Sequence, residues 1–152
     1  MKKTLSIIAV TALCTTALQA KQPRSPEVIF AKKCAMCHTI SRPKSKAEKK
    51  TLVAPPLEAA MAGVVITIDA LDGPFNDEQM KKESVAFLKK YLMEPAREDT
   101  NCEDQVVTKF GMMPSLKGFI SPQELDVVVP WVYDKYRPLK VDGKYQKLTK
   151  RK

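Results

Sequence analysis

The chain has 152 residues, of which 28% are charged, and its formal net charge is +9 at pH 7. This length is typical of one domain with one modest core rather than of a multidomain protein. The positive charge does not indicate nucleic-acid binding, because the basic segments lack the interleaved aromatic residues on which bases would stack.

The first 20 residues have the pattern of a secretory signal. Two lysines precede an uncharged apolar stretch at 5–18, and Ala20 offers the small residue of a cleavage point. The stretch is too short to span a bilayer, which takes roughly 20 apolar residues. We therefore expect cleavage near Ala20, export to the periplasm and no stable membrane insertion, with an uncleaved anchor as the alternative. The mature chain would be 21–152, with a charge of +7.

The first predicted helix begins at Ser25-Pro26-Glu27, where Ser serves as the cap, Pro lies in the first turn and Glu stands near the positive end of the helix dipole. We expect this helix to run to about Cys37. Residues 41–53 follow as a basic loop. The next segment, 54–57, is too rich in proline for a helix interior or a central strand.

The middle of the chain contains one ambiguous segment and one well-defined helix. Residues 58–68 are apolar; their start favours a helical turn and their second half has strand propensity, so periodicity does not decide between the two. A turn follows at 71–74. Asn76 or Asp77 is expected to cap the next helix, whose apolar side chains recur at helical spacing and which ends at Glu94 before a proline.

The last third of the chain begins with an acidic linker at 98–104 and ends with a third helix. Ser121 opens that helix with a capping box, and a proline occupies the first helical position. We expect a kink at Pro130 and a helix end near Tyr136. The basic residues 137–152 are expected to form a flexible tail after a domain at 21–136. The whole pattern predicts an all-α fold with about three principal helices, long loops and no sheet.

Residues 34–38, Cys-Ala-Met-Cys-His, have the Cys-x-x-Cys-His pattern of covalent c-type haem attachment. Two thiols three residues apart lie on one turn of helix and can add to the two vinyl groups of one porphyrin. The imidazole that follows then lies under the ring, where it can bind iron. The sequence therefore predicts one covalent haem c held by Cys34 and Cys37, with His38, the only histidine in the chain, as an iron ligand.

Two other interpretations of the cysteine pair are weaker. A thioredoxin-like redox pair needs a preceding strand and an α/β context, and neither is predicted here. A zinc half-site needs further Cys or His ligands, and only Cys102 remains in the mature chain. The odd number of mature cysteines also argues against a disulfide scaffold. Cys102 itself is expected to be an inert buried residue or to pair with another chain.

With these residues, most of the mature chain resembles a class I cytochrome c. That family places an aromatic residue four positions before the first cysteine, where Phe30 stands, and packs it on the closing helix, here with Trp131 or Tyr133 as partner. The family's Gly-Pro-x-Leu element looks like residues 54–57, although Ala54 replaces the glycine. Its Met-Pro loop looks like residues 113–114.

The resemblance implies a role for each matching residue. His38 would be the proximal iron ligand and Met113 the distal one. The carbonyl of Pro55 would accept a hydrogen bond from the other ring nitrogen of His38, and Leu57 would pack against the haem. Met112 is the alternative distal ligand, since only one of two adjacent methionines can point at the iron. Met113 is preferred because a proline follows it, as in the family.

The resemblance also implies a function. A His/Met pair fills both axial positions, so that oxygen and peroxide have no place to bind, and this favours an electron carrier over an enzyme. We therefore predict a periplasmic carrier of single electrons. A haem-bearing subunit of a larger oxidoreductase remains open, as does a haem peroxidase or ligand-binding sensor with an open distal site. Since the haem would supply much of the core, the chain without it is expected to fold poorly.

A basic segment surrounds the attachment motif. Residues 32–50 contain a single acid, Glu48, and seven cations, which we call the basic collar: Lys32, Lys33, Arg42, Lys44, Lys46, Lys49 and Lys50. In the resembling fold, the thioether edge of the haem is the edge nearest to solvent. A positive collar there would steer redox proteins with acidic docking surfaces. The alternative is a solvated loop without a partner.

Overall fold

Helices form nearly all of the regular structure in this computed structural model, which describes residues 24–98, 104–141 and 144–145. The helices are α1 (Pro26–Lys33), α2 (Lys46–Thr51), α3 (Leu57–Asp72), α4 (Asp77–Met93), α5 (Asp104–Phe110) and α6 (Pro122–Tyr136). Two-residue strands, β1 (Lys140–Val141) and β2 (Lys144–Tyr145), form an antiparallel pair. The prediction of an all-α fold is confirmed. No helix of the described residues has both the length and the apolar character needed to cross a membrane.

Two helix starts lie where the sequence places them. Asn76 caps α4, and its side chain accepts a hydrogen bond from the Gln79 N–H while the Gln79 side chain accepts one from the Asn76 N–H. Ser121 and Glu124 form the same reciprocal capping box at the start of α6. Such caps satisfy backbone donors that have no partner inside the helix, which is why the local sequence alone locates them.

One open alternative is decided, and three expectations for individual segments need correction. The ambiguous segment 58–68 is helical and belongs to α3, a fourth long helix beside the three expected. The first helix ends at Lys33 rather than near Cys37, and the attachment motif forms a separate turn. Within the expected loop 41–53, Ser45 caps the short helix α2 by accepting from the Glu48 N–H. The acidic linker leads into another short helix, α5; its residues 99–103, including Cys102, lie outside the described residues.

The core lies between α1, α3, α4 and α6, and α6 contacts each of the other three helices. The side chains of Leu57, Met61, Val65 and Ile68 recur along one face of α3 and are all buried. This packing overrides the strand propensity of the β-branched residues in that helix. Pro130 lies inside α6, which continues to Tyr136. The kink there stays a prediction.

Packing continues past Tyr136, the expected end of the domain. Pro138 is fully buried, and Tyr145 in β2 packs against the core cluster. The basic segment therefore contacts the domain at Pro138 and at Tyr145, whereas residues 142–143 and 146–152 lie outside the described residues.

The aromatic contact between the first and last long helices is present. The Phe30 ring lies 5.7 Å from that of Trp131 and 6.1 Å from that of Tyr136, measured between centroids. The expected contact of Phe30 with Trp131 is therefore confirmed. The second aromatic ring beside Phe30 is that of Tyr136 rather than that of Tyr133. Because Phe30 is only four residues before Cys34, this contact fixes the position of the attachment motif on the core.

Replacing Phe30 by Ala tests that contact. Phe30 is 4% exposed, and the loss of a buried aromatic ring typically lowers the free energy of unfolding by about 3–5 kcal/mol. We expect a loss of that size in urea unfolding of the holoprotein. Val28→Ala is the matched control on the same helix, because Val28 is 41% exposed, and its effect should be much smaller. Equal effects of the two substitutions would contradict the packing described.

Candidate functional site

The attachment motif forms a tight turn directly after α1. The backbone N–H groups of Cys34 and Ala35 both donate to the Phe30 carbonyl, at 2.9 and 3.0 Å. Those of Cys37 and His38 both donate to the Cys34 carbonyl, at 3.1 and 3.0 Å. Hydrogen bonds of this span close a helical turn, in which residues three and four positions apart share one side. The two cysteines and the histidine therefore lie on one turn, as covalent attachment of a single ring requires.

The two thiols are free, with Cys34 partly buried and Cys37 exposed. Burial, together with a smaller contribution from the neighbouring Cys37, raises the pKa of the Cys34 thiol to about 11. Reactive redox cysteines have the opposite property, a lowered pKa that provides thiolate at neutral pH. This environment argues against a thioredoxin-like pair.

The zinc interpretation also finds no support in the described residues. Among them, no three His, Cys, Asp or Glu side chains come close enough together to hold a metal ion. A structural zinc site needs four such ligands, and a catalytic one needs three. Cys34, Cys37 and His38 therefore do not form a zinc site by themselves.

The ring of His38 is oriented by the chain before α3. Its Nδ1 atom lies 2.8 Å from the carbonyl oxygen of Pro55. A carbonyl oxygen can only accept, so Nδ1 carries the proton and donates it, and Nε2 keeps the lone pair that can bind a metal. Metal-binding histidines in proteins commonly have their other nitrogen fixed in this way.

The same two segments are joined by backbone hydrogen bonds. The Leu57 N–H donates to the Thr39 carbonyl at 2.7 Å, and the Glu58 N–H donates to the Ile40 carbonyl at 3.3 Å. These donors belong to the first turn of α3 and have no partner inside that helix. The carbonyl groups of Thr39 and Ile40 thus accept hydrogen bonds from N–H groups that are otherwise unpaired at the start of α3. This pairing fixes the distance between His38 and Pro55.

Of the two residues implied by the Gly-Pro-x-Leu likeness, Pro55 contacts His38 and Leu57 lies in the core. Leu57 is 8% exposed and belongs to the same apolar cluster as Met61 and Phe30. Its packing against a haem stays a prediction.

A cavity of about 480 Å³ opens beside Pro55, between the chain around α2 and the face of α5. Its apolar lining comes from Leu52, Pro55, Pro56, Ala59, Val106 and Phe110, and its cationic lining from Arg42, Lys49 and Lys109. An apolar ring that carries carboxylates fits such a lining, since the cations would pair with the acids. The chemistry of this lining therefore agrees with a haem, and Pro55, which contacts His38, belongs to it. Cys34, Cys37, His38 and Met113 are not among the described residues that line the cavity.

The two candidate distal ligands lie in the loop after α5. Both Met112 and Met113 are partly buried. Met113 packs against the core cluster, whereas Met112 is not among the described residues that do so. The loop follows Gly111, whose φ of 73° lies in the left-handed region that favours glycine.

Sequence reasoning missed α5 and the cavity wall that it provides. A signal was available, because Val106, Val107 and Phe110 have the spacing of one apolar helix face. The acidic residues before them made the segment look like a linker. Arg42 and Lys49 line the cavity as well as belonging to the basic collar, and Lys109 of α5 joins them there although it lies outside the collar.

Comparisons with known proteins agree with these observations. A family model described as Cytochrome c matches residues 27–134, from the first turn of α1 into the last turn of α6. The chain is also 30% identical to an uncharacterized protein of Aquifex aeolicus (strain VF5), over 117 residues that cover 72% of each chain. No solved structure matches the chain.

Proposed function

Since the chain belongs to the cytochrome c family, whose members transfer electrons through haem, we propose that it is a periplasmic carrier of single electrons. In this proposal Cys34 and Cys37 hold one haem covalently, and His38 and Met113 ligate its iron. The proposal rests above all on the 2.8 Å contact between Nδ1 of His38 and the Pro55 carbonyl. Because of that contact, the lone pair of Nε2 is left available to bind iron. The His38 ring belongs to the same turn as the two thiols.

The protein's own residues would position and tune the cofactor. A bound haem supplies the one-electron chemistry. His38, with its proton held by Pro55, stays in one tautomer and becomes a more basic ligand. Met113 offers a thioether, and a Met/His pair raises the reduction potential of a c-type haem. Arg42, Lys49 and Lys109 would neutralise carboxylates at the cavity.

Filled axial positions would make the protein a carrier rather than an enzyme. If His38 and Met113 both bound the iron, an added ligand would first have to displace the Met113 sulfur. A redox titration of the purified holoprotein should give a single one-electron transition, and its ferrous form should bind carbon monoxide only slowly. Rapid carbon monoxide binding, or sustained peroxide consumption, would instead favour a peroxidase or a sensor.

Export would precede haem attachment. The pattern of the first 20 residues supports cleavage near Ala20 and release into the periplasm. Cytochrome c domains are usually exported, which agrees with this location. N-terminal sequencing of protein from the periplasmic fraction should begin at Lys21, and full-length protein held in the membrane fraction would contradict the proposal.

The surface around the motif suits weak docking of an acidic redox protein. Except for the partly buried Lys33, every cation of the basic collar is exposed. Apolar side chains are exposed in the same part of the chain, with Met36 at 66% and Val53 at 65%. Charge would speed the encounter, and a small apolar contact would let the complex separate quickly.

Charge reversal within the collar should slow that encounter. For the Lys44→Glu/Lys46→Glu variant, we expect the association rate constant with an acidic redox protein at low salt to fall about tenfold, as measured by stopped-flow electron transfer. The difference from the unchanged protein should disappear at high salt, because exposed charges are screened. Lys150→Glu/Lys152→Glu is the control, since it changes the net charge equally outside the collar. If both variants lowered the association rate constant equally, the proposal that the collar steers the encounter would be contradicted.

A further inference from the structure

The methionine loop is held at both of its ends by neighbouring helices. Before the methionines, the Gly111 N–H donates to the Val107 carbonyl at 2.8 Å and so ties the loop to the end of α5. After Pro114, the chain turns onto the C-terminal end of α4. Met112, Met113 and Pro114 therefore span a short distance between two fixed points.

The second of these attachments uses carbonyl groups that α4 cannot satisfy itself. The last four carbonyls of a helix have no partner inside it. The Leu116 N–H donates to the Leu92 carbonyl at 2.8 Å. The Ser115 hydroxyl donates to the next carbonyl, that of Met93, at 2.5 Å. Because α4 packs along α6 and α3 in the core, these carbonyls are a rigid support.

Ser115 has a second contact that makes its hydroxyl the centre of this attachment. Its Oγ accepts a hydrogen bond from the Lys117 N–H at 3.1 Å, while it donates to Met93. One hydroxyl therefore fixes the turn after Pro114 and joins that turn to α4. The Lys117–Glu94 ion pair at 3.6 Å lies at the same place, but both side chains are exposed, and such pairs contribute little.

We infer that Ser115 is a positioning residue: its hydroxyl holds the methionine loop on α4 and thereby limits how often the Met113 sulfur leaves the iron. This inference rests on the proposed ligation by His38 and Met113. Without the hydroxyl, the end of the loop at α4 would keep its backbone attachment at Leu116 and the weak Lys117–Glu94 ion pair, and the loop would open more often. Met113 itself would be unchanged, so the effect would be on the population of the open loop.

The experiment uses the ferric holoprotein and imidazole, a small ligand that can bind iron only when the methionine has left. The far-red absorbance band of methionine-ligated ferric haem reports displacement. In Ser115→Ala we expect the apparent affinity for imidazole to rise about two- to threefold, the lower end of the effect of losing one hydrogen bond, because this bond is exposed. Ser115→Thr, which keeps a hydroxyl, should restore the original affinity.

Thr51→Val is the matched control. The exposed Thr51 hydroxyl also donates to a helix carbonyl, that of Glu48 at 2.9 Å, but it does so in α2. Removing it should leave the imidazole affinity unchanged. An unchanged affinity in Ser115→Ala, or an equal rise in Thr51→Val, would overturn the inference. If the unchanged protein lacks the far-red band, the proposed ligation fails instead, so the two failures can be told apart.

Discussion

The Cys34→Ser/Cys37→Ser variant, which cannot attach haem, is expected to lose most of its helical structure. Two parts of the chain explain this expectation. Residues 31–55, which include the attachment motif, contain no fully buried side chain, and neither do residues 104–115, which include the methionine loop. A haem between the two segments would supply the apolar contact that both lack, and it would tie them together.

The expected loss is large compared with the stability of one domain. Burying one large apolar side chain contributes roughly 1.5–3 kcal/mol. A porphyrin has several times the apolar surface of one such side chain. The net stability of a domain is only about 5–15 kcal/mol. Losing the haem therefore removes a contribution of the same order as the whole net stability.

Far-ultraviolet circular dichroism and limited proteolysis measure this outcome. The variant should show a weak helical signal and rapid cleavage within residues 31–55. Cys102→Ser is the control, because it removes a thiol but leaves the attachment motif intact, and it should keep both haem and helicity. Near-native helicity in the variant without haem would show that α1, α3, α4 and α6 fold without the cofactor.

Met113→Ala is expected to change the haem chemistry without removing the haem. Loss of the thioether should abolish the far-red band and open one axial position, so that carbon monoxide binds the ferrous form rapidly. The reduction potential should fall on the order of a hundred millivolts or more, within the about 0.8 V that axial ligands span. The direction follows from the stronger preference of a thioether for ferrous iron.

Met112→Ala is the matched control for that substitution. Met112 is also partly buried and differs by one position in the loop, so its loss should leave the band and the potential nearly unchanged. If Met112→Ala abolished the band and Met113→Ala did not, the distal ligand would be Met112. If neither changed it, the carrier proposal would lose its distal ligand.

The sequence locates those features that depend on neighbours along the chain. The caps at Asn76 and Ser121 follow from the hydrogen bonds that a helix start needs within four residues. The Cys-x-x-Cys-His turn follows from spacing as well. The contact between His38 and Pro55 was expected only from the resemblance, because the sequence between them does not specify how that loop folds back.

The features that the sequence does not locate depend on distant packing. α3 is helical because its buried face packs on α4 and α6, and short-range propensity does not reveal this. α2 buries no side chain and has no apolar face to detect, whereas the apolar face of α5 is short and follows acidic residues that resemble a linker. The attachment of Ser115 to Met93 joins residues 22 positions apart and becomes visible only when α4 and the loop are in place.

The intact mass of the mature protein tests the central claim most directly. The full chain should be expressed with its own leader in a cell that exports and attaches haem, and then purified and denatured before weighing. The predicted mass is that of residues 21–152 plus a single haem that denaturation does not remove. A bare polypeptide from such a cell would contradict the account, because attachment through Cys34 and Cys37 is the premise of every proposal made for His38, Met113 and Ser115.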